Sequence, residues 1–137
     1  ILFCRDSEKL LEMEGFEEWI QPYSKIVCYW SPLAKGCEGI IIMTKLKCEV
    51  SYGINNPEFD VQARVILIEF ESIFVLISYH PQGGFLDKSI EYRRRWEQAF
   101  IKYLQNLYKI AEDKEKYVLW GRLECQPHRT GLVTQGI

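Results

Sequence analysis

Two segments of this chain close an apolar run with polar side chains. Ser78-Tyr79-His80-Pro81-Gln82-Gly83-Gly84 follows the run Ile73 to Ile77, and Leu119-Trp120-Gly121-Arg122-Leu123-Glu124 ends a second run that begins at Tyr117. Arg122 and Glu124 stand two apart on a strand and so share a face. Metal chemistry through soft ligands is disfavoured. The five cysteines, at 4, 28, 37, 48 and 125, include no C-x-x-C pair, and only His80 and His128 could complete a zinc site. An odd cysteine count without a disulfide framework reads as reduced thiols in an intracellular compartment. Arg93-Arg94-Arg95 could in principle grip phosphates. Successive helix positions are about 100° apart, however, so three neighbours cannot face one ligand, and a solvated or locally paired surface is the better reading. A net charge of −2 likewise lacks the basic excess of a tight, nonspecific DNA binder.

The elements that must position these residues follow from periodicity. At 137 residues and 47% hydrophobic, the chain suits one globular domain over residues 1–137 rather than a disordered tail. Its longest apolar runs fall far short of the ~20 residues a membrane helix needs. Asp6 or Ser7 caps an expected short helix over Glu8 to Glu14, with Gly15 as terminator. Ile26 to Trp30, Gly39 to Thr44 and Lys47 to Ser51 read as strands, and Tyr52 to Asp60 as loop. Ala63 to Phe70 and Ile73 to Tyr79 are β-branched runs joined by a tight turn at Glu71-Ser72. One long helix opens at Asp87 or Ser89, with Trp96, Phe100, Tyr103, Leu104, Leu107 and Ile110 as its core stripe. Tyr117 to Leu123 is expected to be a final buried strand. The order suits an α/β (α+β) fold with a mostly antiparallel sheet, one long helix and a short N-terminal helix.

These segments, with Val50-Ser51-Tyr52-Gly53-Ile54, Arg64-Val65-Ile66 running into Glu69-Phe70-Glu71-Ser72, and Glu91-Tyr92-Arg93-Arg94-Arg95-Trp96, resemble the apurinic/apyrimidinic (AP) endonucleases of the exonuclease III type, in the endonuclease/exonuclease/phosphatase superfamily. The resemblance runs from about Ile26 to Glu124, more weakly back to Ile1. It implies half of a four-layer α/β sandwich, because it covers only the N-terminal half of a fold about twice this length. Members bind Mg²⁺ through carboxylates and cleave DNA in base excision repair, which also implies a nuclear location. Arg5-Asp6-Ser7 looks like the family's Gln-Glu-Thr motif, so Asp6 stands for the metal-binding glutamate, one methylene short. Tyr79 matches the tyrosine of Tyr-x-Pro-Asn, and Gln82 replaces its asparagine. In the Gly-Asp-Leu-Asn motif Arg122 replaces the aspartate and Glu124 the asparagine. A guanidinium there repels a metal and cannot shed its proton.

The resemblance therefore implies a degenerate nuclease whose catalytic positions are vestigial, with no cofactor and Asp6 as a weak metal candidate. Tyr79 reads better as a strand-end aromatic, and Asp6 as a helix cap. With only half the sandwich expected, one sheet face should be bare and should seek a protein partner or a second copy, as in a dimer. That face would be built from one alternating set among Val65, Leu67, Ile73, Val75 and Ile77, with Val118 and Trp120. Two other functions compete: a Mg²⁺-dependent AP endonuclease, and a non-catalytic DNA-binding remnant, which the pI near 5.8 disfavours.

Overall fold

The computed structural model describes residues 2–4, 12, 14–23, 25–30, 39–81 and 86–124. In chain order they form β1 (Leu2–Cys4), α1 (Phe16–Ile20), β2 (Lys25–Trp30), β3 (Gly39–Thr44), β4 (Glu49–Tyr52), α2 (Pro57–Asp60), β5 (Val65–Glu69), β6 (Ile73–His80), α3 (Asp87–Asp113) and β7 (Tyr117–Glu124). One sheet has the order β1-β3-β2 and the other β4-β5-β6-β7. All pairings are antiparallel except β6 with β7, which α3 joins as a crossover. No described helix is long and apolar enough to cross a membrane.

Strand alternation decides the layers. Val65, Phe74 and Leu76 face α3 and pack with Trp96, Phe100 and Leu107. The intervening Ile66, Ile68 and Ile77 point the other way and pack against Val27, Ile40 and Ile42 of the three-stranded sheet. The two central strands, β5 and β6, are thus buried on both faces, which is why they read as near-continuous apolar runs. The bare face expected from the sequence is covered, because β2 and β3 supply a second sheet from within this chain. Val65 and Ile77 are 2% and 4% exposed, the first facing α3 and the second the other sheet. Leu67 and Val118 sit half-buried on the α3 side and Val75 on the opposite one.

Three further expectations change. The strand Tyr117 to Leu123 lies at the edge of its sheet, and Tyr117, Leu119 and Trp120 are exposed. Ile110 is exposed as well, lying on the flank of the α3 stripe rather than at its centre. Gly15, read as a helix terminator, instead precedes α1 with φ 82. The expected helix over Glu8 to Glu14 lies largely outside the described residues, as do Asp6 and Ser7.

The segment read as loop between Tyr52 and Asp60 contains α2, and one carboxylate holds it. Asp60 accepts hydrogen bonds from the Ile54 and Asn56 N–H groups at 2.7 and 2.8 Å. Asn56 caps α2 by accepting from the Glu58 N–H. Gly53 has φ 77, and a Cβ added there would collide with the Asp60 carboxylate, so both backbone and space require glycine. At the far end α3 stops where Glu115 adopts a left-handed φ of 53 and the Lys116 N–H donates to Ala111 O at 2.8 Å. Lys114 and Lys116 then both bond Glu69, holding its carboxyl below the ordinary value and tying the helix end to β5.

Burial pushes the Tyr103 phenol up to about 12, with the nearby Asp60 charge adding to the shift. Below the ordinary tyrosine value both folded and unfolded chains keep this proton, so its contribution is whole; it is lost as pH rises through the folded value. Urea unfolding of wild type and Tyr103→Phe at about pH 9 and about pH 11 checks this. The wild type should lose more stability between the two pH values than the variant, and equal losses would contradict the assignment.

Candidate functional site

Tyr79 follows Ile77 on the sheet face that looks toward β2 and β3, and it is only 6% exposed. Arg64, just before β5, accounts for its placement. The Tyr79 N–H donates to Arg64 O at 2.7 Å, and the guanidinium lies 5.0 Å from the centre of the Tyr79 ring. The Arg64 Nε donates to Gln62 Oε1 at 2.6 Å, fixing the plane of the guanidinium. Tyr79 is therefore packed beneath a cation rather than standing free at a strand end.

Arg122 lies beside Ser78 in the parallel register, and Glu124 beside His80. By alternation with Val118, which packs toward α3, Arg122 belongs to the α3 side of the sheet, and its side chain is exposed. Tyr79 pairs with Leu123 and belongs to the opposite side. The structure thus puts Tyr79 and Arg122 on adjacent strand ends but on different faces. Asp6 and Gln82 lie outside the described residues, as does the side chain of Glu124. Among the described residues no three His, Cys, Asp or Glu side chains gather as metal ligands. A guanidinium, a packed phenol and a buried imidazole are not the hard carboxylate oxygens that a magnesium ion takes.

The polar group that sequence reasoning missed lies one residue either side of Tyr79. Trp120 Nε1 donates to Ser78 Oγ at 2.7 Å, and Ser78 Oγ lies 3.1 Å from His80 Nε2. Indole is a donor only, so Ser78 accepts from Trp120 and has its own proton left for His80. A serine beside a histidine suggests nucleophilic catalysis. Burial argues otherwise: Ser78 is fully buried, and the His80 ring sits 4.7 Å from Trp96 and 5.3 Å from Phe100, centre to centre. No substrate reaches that hydroxyl, and the triad locks β7 and α3 onto β6. Only the parallel register, which brings residues 78 and 120 together across 42 positions, could have revealed it. Trp120→Phe removes the donor and keeps most of the ring, and should lower unfolding stability by ~1 kcal/mol. Denaturant titration measures this, and an unchanged midpoint would show that the bond contributes nothing.

No protein-family model matches the chain. Among curated relatives it is similar to an exodeoxyribonuclease of Bacillus subtilis, 35% identical over 97 residues, which are 69% of this chain and 37% of that protein. It is also similar to recombination repair protein 1 of Drosophila melanogaster, 36% identical over 80 residues, 58% of this chain and 12% of that protein. Among solved structures it is similar to a 3'-5' exonuclease from Neisseria meningitidis, with TM-score 0.55 and 23% identity, covering 69% of this chain and 37% of that one. That likeness concerns the fold. The chain spans little more than a third of the length of its Bacillus subtilis relative. Over that part, the chain is similar in sequence to exonuclease III-type nucleases of the AP endonuclease family, and its two sheets with one long helix share the fold of the Neisseria exonuclease.

Proposed function

We propose that this chain is a catalytically degenerate exonuclease III-type pseudo-nuclease that acts as a protein-interaction module, taking a second copy or another protein as partner. The observation that carries this reading is Arg122. A fixed positive charge stands on an exposed strand end where the resemblance puts a metal-binding aspartate, on the opposite sheet face from Tyr79. Phosphodiester cleavage needs metal, nucleophile and scissile phosphate gathered to within ~0.5 Å of productive geometry, and opposite faces work against that.

The partner role rests on the β7 edge. Tyr117, Leu119 and Trp120 are 79%, 40% and 39% exposed along a strand that has a neighbour on one side only among the described residues. Edge strands with apolar side chains invite pairing. An intracellular, nuclear setting accompanies this reading. The competing one, a Mg²⁺-dependent nuclease of DNA repair, draws on the relatives' names, an exodeoxyribonuclease and a recombination repair protein.

An abasic duplex incubated with the chain and Mg²⁺ or Mn²⁺ separates the two. No strand scission above the protein-free control is expected, and sedimentation should show a mass that rises with concentration or with an added partner. Metal-dependent scission that disappears in Tyr79→Phe would overturn the pseudo-nuclease reading, and a monomer at every concentration with no partner would remove the interaction role.

A further inference from the structure

On the side of the molecule away from the β7 edge, α3 and the β4-α2 segment enclose a groove of about 980 Å³. Its floor is apolar and largely sealed, with Ile54, Phe59 and Leu107 at 6%, 4% and 3% exposure. Its rim is polar. On the α3 side stand Arg95, Lys102 and Lys109, each seven residues from the next and therefore on one flank of the helix at ~10.5 Å intervals. Arg95 is neutralised by Glu58 across the groove at 2.5 Å. Lys102 and Lys109 make no ion pair or hydrogen bond with any described residue, and neither do the carboxamides of Gln98, Asn106 and Asn55.

We propose that this groove binds an acidic polypeptide segment in an extended, polyproline II-type conformation. Such a segment has three residues per turn and rises ~3.1 Å per residue, so carboxylates at every third position fall on one face ~9.3 Å apart, close to the lysine interval. Carboxamides carry both donors and acceptors, and an extended segment has free main-chain N–H and C=O groups to meet them. A helical ligand satisfies its own backbone and would leave the carboxamides of Gln98, Asn106 and Asn55 without main-chain groups to meet. A nucleic-acid strand is disfavoured because its phosphates recur far more densely than two unpaired lysines ~10.5 Å apart can match. The site lies apart from the strand ends of Tyr79 and Arg122, so the inference stands or falls independently of whether the chain cleaves DNA.

The probe is a fluorescent, end-capped peptide with glutamate at every third position, compared with the same peptide carrying glutamine and with a single-stranded oligothymidylate of equal length. Binding is read by anisotropy, and its location by amide chemical shifts. The glutamate peptide should bind, weaken as salt is raised, and shift amides within residues 51–59 and 95–110. The double reversal Lys102→Glu with Lys109→Glu should weaken it at least about tenfold, or ~1.4 kcal/mol. Lys88→Glu, on the exposed first turn of α3 and outside the groove, should leave it unchanged. Both lysines are solvent-facing, so the double variant should keep its circular dichroism spectrum. The inference is overturned by equal binding of the glutamine peptide, by tighter binding of the oligothymidylate through the same lysines, by shifts outside the groove, or by insensitivity to the double reversal.

Discussion

Strand β6 has to bury both of its faces, and most of the structure follows from how it does so. Phe74, Leu76, Ser78 and His80 look toward α3, while Val75, Ile77 and Tyr79 look toward the three-stranded sheet. A half-sandwich with one solvated face would need polar residues at alternate positions. None occurs on the odd-numbered side before Tyr79, and β2 with β3 provides the cover those residues require. A fully buried leucine such as Leu76 contributes ~1.5–3 kcal/mol relative to exposure, and there is one such layer on each side of the strand.

The same alternation governs the chemistry at the strand's end. Because the period is two, His80 is drawn into the aromatic cluster with Trp96, Phe100 and Trp120, and Tyr79 is turned beneath the Arg64 guanidinium. The parallel register then sets Arg122 beside Ser78, on the α3 side, while Tyr79 lies on the other face. The polar atoms at this end are engaged in holding elements together: Ser78 takes the Trp120 indole, and the Tyr79 backbone pairs with Arg64. They stabilise the packing of β7 and α3 on β6.

Much of this was legible in the residues. The β-branched runs gave β5 and β6, the turn at Glu71-Ser72 joined them, and the three- and four-residue spacing from Trp96 to Leu107 gave α3. The arginine run resolved into a local pair, Arg93 with Glu97 at 2.9 Å, and a tertiary one, Arg95 with Glu58. What stayed hidden depends on long-range pairing. The continuous apolar runs of β5 and β6 call for cover on both faces, but periodicity does not say which strands supply it, so the second sheet from β2 and β3 stayed hidden. The edge position of β7 was missed for the same reason, since Val118 and Trp120 look equally apolar in a central strand. The groove went unseen because its lysines are seven apart on a helix whose charged residues read as ordinary surface.

The central proposal is that the strand ends of β6 and β7 do not hold a magnesium ion. Titration of the isotopically labelled chain with Mg²⁺ into the millimolar range, followed through its amide shifts, tests it most directly. The account predicts small, unsaturating shifts spread over surface carboxylates, with Tyr79 and Arg122 unmoved. Saturable binding with shifts clustered at Tyr79, Arg122 and their strand neighbours would contradict it.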